Sequence, residues 1–112
     1  MTRINVGIPP KNLSRQHLIA EHREIKRVPN VISKGKFILK GQPSQFTLGT
    51  GHVKFFYTRL GYLKKRYEEL YIECKRRGYD VTYYGDAWND IPQHLMNDYT
   101  PTERDIQLIN DR

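Results

Sequence analysis

From Val53 to Arg77 apolar residues return every three or four positions, and no other stretch constrains the fold of this chain as tightly. At 100° per residue, Val53, Phe56, Tyr57, Leu60, Leu63, Tyr67, Leu70, Tyr71 and Cys74 fall within about 140° of one another. A face that broad is a core face. The spacing therefore predicts a long amphipathic helix over 53–77, stopped by a left-handed Gly78 and loosened early by Gly61. Its other side carries Lys54, Arg59, Lys65, Arg66, Arg76 and Arg77, a basic surface that serves either solubility or a polyanionic partner.

Two more helices pack against such a face. One starts at Ser14, whose hydroxyl can cap the free amides of the next turn, and runs through Ile25 to about Val28, where Pro29 bends or stops it. It turns Leu18, His22, Ile25 and Val28 to one side. The other begins where Thr100, Pro101, Thr102 and Glu103 combine a capping box with proline at the first helical position, and runs to about Ile109. The Gly-, Pro- and Lys-rich stretch 34–44 is a long loop. Residues 79–99 hold four tyrosines and Trp88, a connector that packs its rings over helix ends or stacks them on bases. The run Gly49-Thr50-Gly51-His52 is a tight turn or a phosphate cradle. The expected fold is all-α: one compact domain over residues 1–112, three main helices and long connecting loops.

With 112 residues the chain has room for one modest core. Nineteen lysines and arginines against twelve acidic residues leave a net charge of +7, which favours a polyanion. No apolar run approaches the roughly 20 residues that span a bilayer, and the N-terminus lacks the apolar block of a signal peptide. The expectation is a soluble, intracellular protein without a membrane partner. Cys74 is the only cysteine, which excludes an internal disulfide and a cysteine-based zinc site; on the core face it is an inert thiol. His17, His22, His52 and His94 form no ligand pair at metal spacing, so no metal and no cofactor is expected.

The outer side of the first helix carries a different pattern. His17, Ala20, Glu24 and Arg27 fall within about an 80° stripe, with Arg23 at its border. A charged helix face is ordinarily solvated surface, but an acid, two arginines, a histidine and a small residue that admits close approach also suit a site. The N-terminus adds a reagent. Thr2 is small, so removal of Met1 is expected to expose its α-amine. With a pKa of about 7.7 to 8.0, roughly a tenth to a sixth of that amine is neutral at pH 7, whereas an unperturbed lysine is neutral in well under a thousandth of molecules. Only a neutral amine attacks the anomeric carbon of a sugar to form an imine.

Thr2-Arg3-Ile4-Asn5, Gln16-His17-Leu18, Ala20-Glu21 and Arg23-Glu24 together resemble the pyrimidine-dimer DNA glycosylases, the endonuclease V type encoded by phages. The likeness continues through Phe46, Leu48, Gly49, Gly51-His52-Val53, Phe55-Phe56-Tyr57, Glu73-Cys74, Lys75-Arg76-Arg77-Gly78, Asp90-Ile91-Pro92-Gln93 and Asp98-Tyr99. What the resemblance implies is a DNA-repair enzyme acting as a monomer on damaged double-stranded DNA, with its N-terminal segment threading against the helices. It implies that the Thr2 amine attacks the sugar, that Glu24 stabilises positive charge and assists removal of the 2′ proton, and that Arg3, Arg23 and Arg27 hold phosphates. Gln16 and His17 match residues near the lesion, although His17 also fits a surface position at a helix start. Base extrusion is expected as well, since an enzyme cannot reach the anomeric carbon within an undistorted stack. The linker after the first helix is shorter than in well-known members, and their aromatic, basic C-terminal tail has no counterpart before Arg112, which leaves the lesion open. The other readings are an abasic-site lyase, a glycosylase for another modified base, and a non-catalytic DNA-binding relative.

Overall fold

In the computed structural model, which describes residues 2–111, the first helix opens as its capping residue predicts. Ser14 Oγ accepts the His17 amide at 3.2 Å and α1 runs Arg15–Glu24. It stops short of the expected Val28. A second helix, α2, spans Arg27–Ser33 and contains Pro29 in its first turn. Had α1 continued, the Pro29 ring would have met the Ile25 carbonyl and left it without a donor. The chain instead tightens at residues 25–26, with the Val28 amide on Ile25 O at 3.2 Å, and restarts where proline's missing N–H costs nothing.

The predicted helix over 53–77 is also divided. Gly51, at φ +91°, leads into the single turn α3, His52–Phe55, which tightens into a 3-10 turn at Phe56–Thr58. Arg59 then leaves helical geometry and α4 runs Leu60–Arg76. The interruption lies where the 96–97 backbone crosses. Arg59 bridges Met96, Asn97 O accepts the Tyr62 amide at 3.1 Å, and Asn97 Nδ2 donates to Thr58 O at 2.9 Å. A Cβ on Gly61 would stand 2.6 Å from Met96 O. Gly61 is thus a crossing point for another strand of chain, where only glycine leaves room, and not a weak spot in a free helix.

The last helix, α5, spans Glu103–Asn110 and begins two residues later than expected. Its box pairs Thr102 with Asp105 rather than Thr100 with Glu103, and Pro101 precedes the cap. Thr102 occupies the cap because the acid three residues on lies on the buried side, where Asp105 is 2% exposed.

Leu60, Leu63, Tyr67, Leu70 and Cys74 are fully buried, as the helical period predicts, and burial pushes the Cys74 thiol up. Ile4 and Val6 belong to the same core, so the N-terminal segment does thread against the helices. Within the connector, the rings of Tyr83 and Trp88 pack on Tyr67 at 5.7 and 5.3 Å between centroids. The described residues are helical, with no strand beyond the isolated Arg59–Met96 bridge. None of their helices is long and apolar enough to cross a membrane.

Arg66 is a clear correction. Expected on the solvated basic side, it is 4% exposed and ion-paired with Glu21. On the helical wheel it lies about 40° beyond Leu70, at the flank of the predicted apolar arc, and the buried face of α4 extends past that edge to take it in. Arg77 likewise is bound to Glu73 and to the carbonyls of Pro10, Lys11 and Leu13. The basic side available to a partner is smaller than the sequence suggests.

Candidate active site

The site is assembled by fastening an extended N-terminal segment to α1 and α2. Asn5 Nδ2 donates to Glu21 Oε1 at 2.7 Å, and Arg27 Nη1 reaches Thr2 Oγ1 at 3.5 Å. The segment therefore runs antiparallel to the helices. Asn5 thus meets α1, and Thr2 meets the start of α2. Thr2 is buried there at 9% exposure.

Two buried polar devices fix this register. Arg66 donates to both carboxylate oxygens of Glu21, at 3.0 Å to Oε1, and to Ile8 O at 3.0 Å. One guanidinium thus ties α4 to α1 and to the start of the chain. Its own charge is held on by Glu21 against the cost of burial. His52 supplies the second device. Its Nδ1 lies 2.8 Å from Thr47 O and its Nε2 2.9 Å from the Ile4 amide. A carbonyl can only accept and an amide can only donate, so these partners select the neutral tautomer with the proton on Nδ1. His22 is buried on the inner face of α1 against Tyr67, Tyr71 and Tyr84. Burial first, then Lys26 and Lys75, lowers its pKa.

The outer edge is acidic at one point and basic around it. Glu24 keeps 14% of its side chain exposed and has Arg23 Nη2 3.3 Å from Oε2. Arg23, with 58% of its side chain exposed, is available to a ligand, and the exposed pair itself adds little stability. Lys26 is committed inward, donating to Arg23 O at 2.8 Å and covering the Tyr84 ring. Gln16, Ala20 and Arg23 share an open groove of about 620 Å³ with Ser14, Arg15 and Ile19. A second hollow, about 400 Å³, is lined by Arg27, Asn30, Val31, Lys34 and Lys36.

Of the residues singled out in the sequence, Thr2 meets Arg27 and Glu24 meets Arg23. Gln16 lines the groove with Arg23, and Arg3 is half-buried. His17 is exposed, its backbone amide spent on the Ser14 cap. Sequence reasoning gave no role to Asn5 and His52, although both lie in the quoted motifs, and it missed Lys34 and Lys36 beside Arg27. A signal for the Glu21–Arg66 pair was present: each charge sits at the flank of an apolar face, with opposite sign on two helices that must pack.

A family model described as pyrimidine dimer DNA glycosylase matches residues 1–84. That span runs from the N-terminal segment through all of α4. It takes in Thr2, Arg3, Gln16, His17, Arg23, Glu24 and Arg27 as well as the Asn5, Glu21, Arg66 and His52 contacts that hold the segment in register. The chain belongs to the pyrimidine dimer DNA glycosylase family.

Proposed function

We propose that this DNA-repair glycosylase is also a β-eliminating abasic-site lyase on damaged double-stranded DNA, cyclobutane pyrimidine dimers in the first instance, and that both steps pass through the α-amine of Thr2. Met1, whose removal frees that amine, lies outside the described residues. The observation that carries the reading is the fastening of Thr2 to Arg27, three residues after Glu24 in the chain. An unperturbed α-amine is neutral far more often near pH 7 than a lysine, and the neutral amine is the form that reacts.

The nitrogen lone pair attacks C1′ of the damaged nucleotide, the N-glycosidic bond breaks, and the base leaves with that electron pair. Opening of the sugar ring gives a protonated imine between Thr2 and C1′. Glu24 stabilises the positive charge that develops on the sugar and then takes the 2′ proton. The electrons freed at C2′ flow toward the iminium, the C3′–O bond breaks, and the 3′ phosphate departs. Water hydrolyses the imine and returns the amine. Because the imine is the electron sink, an ordinary carboxylate is basic enough. Arg3, Arg23 and Arg27 hold phosphates, Gln16 and His17 contact the duplex near the lesion, and the nucleotide is reached by extrusion from the stack.

Borohydride reduction of the protein mixed with abasic and with dimer-containing duplexes separates the readings. Covalent trapping on both supports the bifunctional enzyme. Trapping on abasic DNA alone reduces the activity to the lyase or moves the glycosylase to another base, and trapping on neither leaves a DNA-binding relative.

A further inference from the structure

Ile38 is the most exposed large apolar side chain of the described residues, at 69%, and Leu39 beside it is 39% exposed. Ile72, the next most exposed, lines a groove with the carboxylates Glu69 and Glu73. Ile38 has the opposite neighbourhood. Lys34, Lys36 and Lys40 flank it in sequence and are all exposed. The loop that carries it is braced from within. Phe37 turns inward to an edge-on contact with Tyr57, 6.0 Å between centroids. Gln42 Nε2 donates to Lys54 O, Phe55 O and Thr58 Oγ1 at 3.0 to 3.1 Å, and its amide closes a turn onto Leu39 O at 3.0 Å. Lys54 Nζ donates to Lys40 O. Gly35 and Gly41, at φ +69° and +80°, make the two bends. A braced loop that exposes apolar side chains among lysines is built for a partner apolar within and anionic at its edges. Duplex DNA fits: base faces inside, phosphates outside, with unstacking at a damaged step lowering the cost of entry. The hollow shared by Arg27, Lys34 and Lys36 makes this loop continuous with the Thr2 site.

We propose that Ile38, backed by Leu39, is a wedge that enters the duplex at the unstacked step beside the damaged nucleotide, with Lys36 and Lys40 on the flanking phosphates. The proposal rests on the DNA-directed function argued above. It is tested with a duplex holding a tetrahydrofuran abasic analogue next to 2-aminopurine, and with the same duplex undamaged. Ile38→Ser is expected to bind the damaged duplex about tenfold more weakly than the unsubstituted protein and to lose the 2-aminopurine fluorescence rise, while undamaged binding stays within about twofold. Ile38→Leu is expected to keep both. Lys36→Ala/Lys40→Ala is expected to weaken both duplexes alike and to shallow the salt dependence. Because Ile38 is largely solvent-facing, Ile38→Ser is expected to unfold at the unsubstituted temperature, which circular dichroism checks.

Undiminished binding and fluorescence for Ile38→Ser overturns the wedge, as does an equal loss on both duplexes. If Ile38→Ser instead loses binding to phosphatidylglycerol vesicles while its DNA binding is intact, the loop addresses a lipid surface and the proposal is wrong. Borohydride trapping of the unsubstituted protein distinguishes the two levels. Trapping with an indifferent Ile38 removes the wedge alone, whereas neither trapping nor DNA binding removes the parent function with it.

Discussion

Arg66→Met is expected to be the most damaging single change outside the apolar core. The methionine fills the space of the arginine stem but supplies none of its donors. Glu21, whose side chain is 0% exposed, then keeps only Asn5 as a described partner, and Ile8 O loses Arg66 as its donor. Stranding one member of a buried ion pair costs about 3–5 kcal/mol, a large share of the roughly 5–15 kcal/mol that holds such a domain together. At roughly 4 °C per kcal/mol for this size, the unfolding midpoint should fall by about 12–20 °C. Urea and thermal unfolding followed by circular dichroism measure it. Glu21→Gln/Arg66→Met removes the stranded charge but keeps an acceptor for Asn5 Nδ2, so it should recover most of the loss, to within about 2 kcal/mol. A single substitution costing less than about 1 kcal/mol, or a double variant no better than the single, would refute the assignment of this pair as the lock between α1, α4 and the N-terminal segment.

Other perturbations follow from the same geometry. Glu24→Gln should lower the rate of strand cleavage by about 10²-fold or more while leaving duplex affinity within about twofold; equal losses of both in single-turnover and binding assays would remove its role in proton transfer. Arg27→Ala should weaken duplex binding, reduce the slope of log K against log salt by about one, and slow imine trapping through the loss of its contact with Thr2; an unchanged slope would show that it meets no phosphate. His22 has its pKa lowered from 6.5 by burial, so the unfolded chain binds the extra proton first. Its contribution is whole above pH 6.5 and is lost as pH falls through the lowered folded value. The stability difference between the unsubstituted protein and His22→Gln should therefore shrink on acidification from pH 7 to pH 5, and a widening difference in urea titrations would reverse the sign. Gly61→Ala should destabilise by about 1–3 kcal/mol despite alanine's better helix propensity, because its Cβ meets Met96 O at 2.6 Å; a gain in midpoint would show that the crossing backbone yields.

Periodicity and capping chemistry expressed most of the fold, and the misses have physical causes. The inward faces of α1 and α4 are legible because burial follows the helical period at Leu18, His22, Ile25, Leu63, Leu70 and Cys74. The breaks at residues 25–26 and at Arg59 are less so. The first comes from Pro29 acting on a carbonyl four residues earlier. The second needs the 96–97 backbone, almost forty residues away, which no local pattern announces. Arg66 was misplaced because it lies just beyond the predicted apolar arc and its counter-charge stands on another helix. Within the site, the acid and the arginines are read from a helix stripe. The register of the N-terminal segment is not, since it depends on His52 accepting from Ile4 and Asn5 finding Glu21 across long stretches of chain. The extent of the available basic surface is a tertiary property for the same reason, since Arg66 and Arg77 are consumed internally.

The most direct measurement is the covalent address of the DNA. The mature protein is trapped on an abasic duplex with borohydride, digested, and its peptides are sequenced by mass spectrometry. The adduct is expected on a peptide that begins at Thr2, on its α-nitrogen, with Met1 gone. An adduct carried by a lysine, or full trapping by protein that retains Met1, would contradict the amine chemistry on which the proposed mechanism depends.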